Sequence, residues 1–186
     1  MFHYVFKNVN LSGPFPDNTK TIMFGMGCFW GAERKFWQIP KGIHSTQVGY
    51  AGGDKDSPSY KQVCSGTTGH AEVVQVVYKP SEISLSELLT IFWESHNPTT
   101  RNQQGNDFGT QYRSCIFAPD QESLKMAIDS RDKFQKSLDA KNLGKIVTEI
   151  RQLDKIFLAE EYHQQYLAKN PNGYCGLSGL KIKCVL

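Results

Sequence analysis

The segment Ala71-Glu72-Val73-Val74-Gln75-Val76-Val77-Tyr78 decides the fold of this chain. An extended strand points successive side chains to opposite faces, and here valines occur on both of them. Burial on both faces is typical of a strand in the interior of a sheet, where other parts of the chain cover each side. We therefore predict a central strand over Ala71–Tyr78.

A helix with clear boundary signals follows this strand. Ser84 and Glu87 have the spacing of a capping box, in which each side chain bonds the backbone N–H of the other residue. Asn97-Pro98 ends the helix, because proline cannot continue one. The apolar side chains between these limits fall on one stripe, as in a helix that packs on a sheet: Leu85, Leu88, Leu89, Phe92 and Trp93.

The same patterns place the other elements. They predict strands over residues 21–25, 43–51, 112–117 and 146–153, and helices over 29–38, 121–138 and 159–170. Up to residue 117 the order is β-α-β-β-α-β, that of the ferredoxin-like arrangement. We predict an α+β fold, a two-layer sandwich with helices on one face of a mixed sheet. A single domain spans 1–186, with an extension over 1–20 and a flexible, irregular, glycine-rich tail over 172–186.

Composition argues against several classes of partner and location. The net charge is +3, from 21 basic and 18 acidic residues without a run of like charge, which argues against nucleic acid or an anionic membrane as partner. The longest apolar stretches are too short to span a bilayer. Residues 1–20 contain no arginine and no basic region before an apolar core, so they do not resemble a targeting segment. We therefore expect a cytoplasmic protein, and a monomer because the fold needs no partner to complete its core.

Cysteines are the side chains most open to a chemical interpretation. In a reducing compartment a set of them is not expected to form structural disulfides. Their odd number and the lack of a C-x-x-C pair also weaken a zinc site, and we predict no metal. Each is either packed as a small apolar residue or chemically active: Cys28, Cys64, Cys115, Cys175 and Cys184.

Cys28 lies at a predicted junction between a strand and a helix, in the segment Gly25-Met26-Gly27-Cys28-Phe29-Trp30-Gly31. A thiol at a helix start faces unpaired backbone N–H groups and the positive end of the helix dipole, and both favour the thiolate. We therefore expect a lowered pKa. The alternative is a small buried residue that begins a helix, and spacing alone does not separate the two.

Gly27-Cys28-Phe29-Trp30-Gly31 resembles the signature of the peptide-methionine (S)-S-oxide reductases, the A-type methionine sulfoxide reductases. Further blocks resemble this family in the same order, and together they cover nearly everything from Thr21 to Cys184. They are Ser59-Tyr60, Cys64-Ser65-Gly66, Gly69-His70-Ala71-Glu72, Asp107-Phe108-Gly109-Thr110-Gln111-Tyr112-Arg113-Ser114, Tyr162-His163-Gln164-Gln165-Tyr166 and Gly173-Tyr174-Cys175-Gly176.

The resemblance implies a reaction. The Cys28 thiolate attacks the sulfur of the S epimer of methionine sulfoxide, free or in a protein, releases methionine and becomes a sulfenic acid. Glu72 matches the acid that protonates the leaving oxygen. Glu72 lies on the same face of the predicted strand as the apolar side chains of Val74, Val76 and Tyr78. These apolar surroundings are expected to raise its pKa and keep it protonated near neutral pH. The alternative is a solvated carboxylate at a strand edge.

The same resemblance assigns the pocket. Tyr60 and Tyr112 match the hydroxyls that hold the sulfoxide oxygen, and Asp107 matches a carboxylate that lines the pocket. Phe29 and Trp30 match the walls around the S-methyl group, which suits aromatic rings in contact with sulfur. Without the family, core packing is the simpler explanation for these aromatic residues. His163 lies in a matching block but has no role that we can derive.

Two cysteines near the C-terminus resemble resolving cysteines. Cys175 matches the first and Cys184 the second one found in some members, and the resemblance implies recycling by thioredoxin without a metal or an organic cofactor. The chain departs from the family around Cys184, where Ser178 replaces a common glycine and the 181–183 segment is atypical. Cys64 has no implied chemical role, and Cys115 is predicted to be a buried strand residue.

Two other classes compete with the reductase. A cysteine hydrolase or acyltransferase would use Cys28 as nucleophile and His70 or His163 as base. That chemistry has no need of two tail cysteines. The other class is a binding module whose tail cysteines hold zinc.

Overall fold

This computed structural model describes all residues from 1 to 186, and a β-sheet lies at its centre. Six strands make one mixed sheet, and a separate two-stranded hairpin, β4–β5, stands apart from it. The strands are β1 (Lys20–Met26), β2 (Ile43–Ala51), β3 (Ala71–Tyr78), β4 (Gln103–Gln104), β5 (Asp107–Phe108), β6 (Ser114–Ala118), β7 (Glu149–Gln152) and β8 (Phe157–Leu158).

The strand order of the large sheet is β7-β6-β1-β3-β2-β8. Only β6 and β7 pair in parallel, and the other four pairs are antiparallel. The inner four strands, β6-β1-β3-β2, have the order and directions of the ferredoxin-like arrangement, so the predicted fold class is confirmed. Strand β3 lies between β1 and β2 and is buried along its whole length, as predicted for a central strand.

Helices cover one face of this sheet. They are α1 (Phe29–Trp37), α2 (Tyr60–Cys64), α3 (Leu85–Ser95), α4 (Gln121–Asp139) and α5 (Tyr166–Lys169). The predicted capping box begins α3: Ser84 Oγ accepts from the Glu87 N–H at 3.2 Å, and Glu87 Oε2 accepts from the Ser84 N–H at 2.8 Å. No helix was predicted over the segment that forms α2. A second capping box, Ser59 with Gln62, begins it and was the available signal.

The core is divided by the sheet into two clusters. The larger one contains 25 buried residues between the sheet and the helices, Val74, Val76 and Tyr78 of β3 among them. The smaller one contains six residues on the opposite face, including Val73 and Cys115. The valines of β3 therefore fill both clusters, which explains why its sequence is apolar at successive positions.

The predicted helix over 159–170 is wrong. Residues 161–163 form a 3-10 turn, α5 covers only Tyr166–Lys169, and Gln165 between them is left-handed at φ 49°. The cause is tertiary: Gln164 Oε1 accepts from the Val48 N–H of β2 at 2.9 Å, and the Gln165 N–H donates to Glu33 at 2.8 Å. These bonds hold the backbone out of a continuous helix.

Two other predictions change in detail. The β4–β5 hairpin lies between α3 and β6, where no strand was predicted, and Tyr112 ends a 3-10 turn over Thr110–Tyr112 instead of beginning a strand. Residues 172–186 have no helix or strand, but their apolar side chains pack on the larger core cluster: Leu177, Leu180, Ile182 and Leu186. None of the helices is both long and apolar enough to cross a membrane.

Candidate active site

Cys28 lies between the end of β1 and the first residue of α1, half-buried. Gly27 before it has φ 88°, and a Cβ there would lie 2.6 Å from the Gln104 Cβ, so only glycine lets the hairpin pack against this turn. The predicted strand-to-helix position of Cys28 is therefore correct. The hairpin residue Gln104, which the sequence did not single out, forms one side of the turn.

Glu72 is the buried carboxyl group of this region, with 2% of its surface exposed. Its Oε2 accepts a hydrogen bond from the Phe29 N–H at 3.1 Å, so it caps the helix that begins beside Cys28. Burial raises the pKa of Glu72 to about 8. The hydrogen bond from the Phe29 N–H lowers this pKa somewhat, and the nearby charge of Asp107 raises it. At pH 7 the carboxyl group is therefore mainly protonated and has a proton to donate.

The expected lowering of the Cys28 pKa is wrong for this arrangement. Burial raises the pKa of the thiol, and the charge of Glu72 raises it further, while the backbone N–H of Trp30 has the opposite effect. The helix start contributes less than expected because Glu72 already uses the first N–H group, that of Phe29. A neutral Glu72 therefore makes the thiolate less costly to form, although burial still raises the pKa of Cys28.

Tyr60 and Tyr112 are both half-buried near Glu72. Burial raises the pKa of each hydroxyl; Cys64 contributes next for Tyr60, and the Glu72 charge contributes for both. Both hydroxyls therefore stay neutral over the physiological range and are able to donate hydrogen bonds. The structure thus brings two donors and one protonated carboxyl group into the neighbourhood of the Cys28 thiol.

Two aromatic residues follow Cys28 and differ in exposure. Phe29 is 1% exposed and packs against the ring of Tyr50, so it belongs to the core as well as to the site. The half-buried Trp30 stacks on Tyr166 with ring centroids 3.8 Å apart. Its Nε1–H donates to His163 Nδ1 at 3.1 Å, which gives His163 a position that the sequence did not reveal.

Asp107 on β5 connects the site to the C-terminal segment. Its Oδ2 accepts a hydrogen bond from the Tyr174 hydroxyl at 3.3 Å. The Tyr174 hydroxyl occupies the place of a side chain at Gly176, which explains the glycine. Sequence reasoning did not anticipate Tyr174 as a partner of Asp107.

The five cysteines are all free thiols, and they lie in different environments. Cys175 Sγ packs on the first turn of α1, where a Cβ at Gly31 would lie only 2.8 Å from it, and it is close enough to influence the pKa of Cys28. Cys184 is buried against α3, its N–H donating to Glu94 Oε1 at 2.9 Å. Burial raises the pKa of Cys184 to about 11. Cys115 is fully buried in β6, as predicted.

Both histidines considered as bases for a hydrolase have other partners. His70 Nδ1 accepts from the Gly53 N–H at 3.1 Å, and its Nε2 bonds the Lys55 carbonyl at 2.7 Å. His163 Nδ1 accepts from Trp30, so its Nε2 carries the hydrogen. Neither ring presents a free nitrogen lone pair to Cys28. No group of three or more His, Cys, Asp or Glu side chains is arranged to hold a metal ion.

A family model described as peptide methionine sulfoxide reductase matches residues 20–183. The chain belongs to this family. The mitochondrial peptide methionine sulfoxide reductase of Mus musculus is 54% identical over 182 residues, which are 98% of this chain and 77% of that protein. Methionine sulfoxide reductase A of Corynebacterium diphtheriae has a TM-score of 0.82 and 43% identity, over 86% of this chain and 79% of that one.

A further solved structure contains a second protein. Mxr1 from Saccharomyces cerevisiae in complex with Trx2 has a TM-score of 0.56 and 27% identity, over 87% of this chain and 93% of that one. Together these findings confirm the predicted family and activity: the chain is an enzyme that reduces methionine sulfoxide. They do not test the individual site residues, whose roles stay predictions.

The prediction of a cytoplasmic protein is wrong. Relatives of this reductase from Mus musculus and Homo sapiens, at 54% and 56% identity, are named mitochondrial. A relative from Brucella anthropi at 55% identity has no compartment in its name. The lack of arginine in residues 1–20 was therefore not sufficient to argue against a mitochondrial location.

Proposed function

We propose that Cys28 is the nucleophile and Glu72 the proton donor in reduction of the S epimer of methionine sulfoxide, free or in a peptide or protein. The observation that supports this most directly is the buried Glu72, whose raised pKa of about 8 keeps it protonated beside Cys28. A neutral Glu72 also removes the negative charge that raises the pKa of the thiol. Glu72 thus supplies the proton and, while it is neutral, adds no charge that opposes the thiolate.

The atoms balance with one water molecule as co-reactant. Cys28 Sγ attacks the sulfoxide sulfur as it gives up its proton, and Glu72 donates a proton to the sulfoxide oxygen. The sulfur–oxygen bond breaks, and the oxygen leaves as water with the proton from Glu72 and the proton of the thiol, while Cys28 Sγ stays bonded to the methionine sulfur. A water molecule then attacks Cys28 Sγ, the sulfur–sulfur bond breaks, methionine is released and Cys28 becomes a sulfenic acid, and the proton that this water loses restores Glu72. Cys28 is oxidised and the substrate sulfur is reduced by the same two electrons.

Three sets of contacts orient the substrate in this proposal. The neutral hydroxyls of Tyr60 and Tyr112 donate to the sulfoxide oxygen, and the rings of Phe29 and Trp30 enclose the S-methyl group. Asp107 lines the pocket, where Tyr174 now bonds it. Since oxygen and methyl are fixed on different sides of the sulfur, only one epimer presents its sulfur to Cys28.

We expect strict selectivity for the S epimer. Single-turnover release of methionine from each separate epimer, with dithiothreitol as reductant, measures it. The R epimer exchanges the positions of oxygen and methyl, so it should react at least about 100-fold more slowly, the cost of misplacing reacting atoms by about 1 Å. Comparable rates for the two epimers would contradict the proposed pocket.

Regeneration of Cys28 uses Cys175 and a thioredoxin. Cys175 packs on α1 near Cys28, so its thiol is positioned to attack the sulfenic acid, forming a disulfide and releasing water. The solved complex of Mxr1 with Trx2 supports a thioredoxin, a dithiol, as the reductant that accepts the oxidation. Cys184 is the proposed second resolving cysteine. In this structure its backbone N–H is bonded to Glu94 of α3 and its thiol is buried.

Substitution of the two resolving cysteines should give graded effects. Cys175→Ser should release one methionine per protein and then stop with thioredoxin, because the sulfenic acid is not resolved. Cys184→Ser should slow recycling by thioredoxin and leave turnover with dithiothreitol unchanged. The measurements are the burst amplitude and the steady-state rate with each reductant. If Cys184→Ser recycles at the normal rate with thioredoxin, the relay ends at Cys175.

A further inference from the structure

Glu33 is a buried carboxyl group that the proposed chemistry does not use. It is 0% exposed and lies on α1, one helical turn after Trp30. Its Oε1 accepts from the Thr46 hydroxyl at 3.0 Å and from Gln165 Nε2 at 2.7 Å, and its Oε2 accepts from the Gln165 N–H at 2.8 Å. Burial raises the pKa of Glu33 to about 7 against the effect of these hydrogen bonds, so the carboxylate is the main form at pH 8. All three partners are donors, and the arrangement suits that ionised form, which only accepts.

The N-terminal segment covers this carboxylate. His3 Nδ1 accepts from the Phe6 N–H at 2.9 Å, so the ring hydrogen is on Nε2, which lies 3.0 Å from the Thr46 hydroxyl oxygen. His3 therefore donates to Thr46, and the hydroxyl hydrogen of Thr46 remains directed at Glu33. The three side chains thus form a chain of hydrogen bonds that ends on a buried anion.

The backbone of Gln165 is held in an unusual conformation by the same anion. Its φ of 49° and ψ of 40° are left-handed, a conformation that costs free energy for a residue with a Cβ and that such residues adopt infrequently. Glu33 takes both its backbone N–H and its side-chain NH₂, and Gln165 Oε1 accepts from the Tyr4 N–H at 3.1 Å. Gln165 is therefore fixed at three points.

This turn lies between the two partners of Trp30. His163 accepts from the indole N–H at 3.1 Å, and Tyr166 stacks on the indole at 3.8 Å. We propose that Glu33 is a positioning residue, whose carboxylate fixes the turn at Gln165 and thereby holds His163 and Tyr166 against Trp30. Its catalytic consequence rests on the proposed role of Trp30 as a wall of the substrate pocket.

The indole N–H signals of the three tryptophans test the positioning directly by NMR. Glu33→Gln keeps the shape but offers one accepting oxygen in place of two. At pH 8, the indole N–H signal of Trp30 should shift in Glu33→Gln, and its exchange with solvent hydrogen should become about 10-fold faster or more. The indole signals of Trp37 and Trp93 should stay in place. Trp30→Phe assigns the signal. An unchanged Trp30 signal in folded Glu33→Gln protein would overturn the proposal.

The matched control, Ser130→Ala, removes a buried hydrogen bond to a different tryptophan. Trp93 Nε1–H donates to Ser130 Oγ at 2.9 Å between α3 and α4. Ser130→Ala should move the Trp93 signal and leave that of Trp30 unchanged. If Glu33→Gln does not fold, Gln165→Gly replaces it. Glycine keeps the left-handed backbone and its N–H, and it loses the one side-chain bond to Glu33 together with the side-chain bonds to Thr46 and Tyr4. It should shift the Trp30 signal in the same direction, and no shift in this variant would equally overturn the proposal.

Kinetics then test the consequence for catalysis. Glu33→Gln should lower the single-turnover kcat/KM for the S epimer by about 10- to 100-fold, the cost of displacing a substrate-positioning group by about 1 Å. In a Trp30→Phe background the same change should cost less than about 3-fold, because effects that act through one side chain are not additive. Equal losses in both backgrounds would overturn positioning through Trp30. If Trp30→Phe alone is fully active, the pocket wall is wrong, while the NMR result still decides the role of Glu33.

Discussion

Cys28→Ser should abolish methionine release with every reductant, dithiothreitol included. A serine hydroxyl is almost never ionised near neutral pH and cannot take over the sulfenic acid chemistry of a thiol, so no other group in the site replaces it. We expect a loss on the order of 10⁶-fold, comparable to that of an enzyme whose nucleophile is removed. Single-turnover release of methionine from the S epimer measures it.

Cys64→Ser is the matched control for this prediction. Cys64 is also a free thiol, exposed at the end of α2, and carries out no step of the proposed reaction. Its thiol bonds the Tyr60 hydroxyl, and serine keeps an acceptor for that hydroxyl. Its substitution should change the rate by less than about 2-fold, within the range of an ordinary surface change. Substantial release of methionine by Cys28→Ser would assign the nucleophile to another cysteine.

Glu72→Gln should slow the first chemical step by about 10²–10⁴-fold, the usual contribution of a positioned acid. Substrate binding should change less, because the amide still donates a hydrogen bond. The measurement is again single-turnover release, with Glu122→Gln on the exposed side of α4 as a control that leaves the rate unchanged. An unchanged rate in Glu72→Gln would move the role of acid to Asp107 or to one of the two tyrosines.

The pH dependence of the same step gives an independent test of Glu72. With a pKa of about 8, the carboxyl group is protonated below that pH and loses its proton above it. Its deprotonation removes the acid and adds a charge that raises the pKa of Cys28, so both effects lower the rate above about pH 8. The decline should be absent in Glu72→Gln. A wild-type rate that keeps rising through pH 9 would contradict the assignment.

The local sequence determined the parts of this protein that depend on neighbouring residues. The apolar run of β3 predicted its central place, and the spacing of Ser84 and Glu87 predicted the start of α3, because strand alternation and helix capping act over a few residues. The ordered blocks around Cys28 were sufficient to predict the family and the activity, and the comparisons confirmed both.

Only the tertiary structure decided the features that depend on distant residues. The Gln165 N–H meets Glu33 across 132 positions of sequence, and that contact replaced a predicted helix with a left-handed turn. Glu72 accepts from the helix-end N–H group of Phe29, 43 positions away, that was expected to stabilise a Cys28 thiolate. Burial of the thiol reversed the expected pKa shift, and the charge of Glu72, when it is ionised, adds to that effect. A buried hydrogen bond or charge outweighs local propensity because water no longer competes for it, and the sequence does not state which distant group will be its partner.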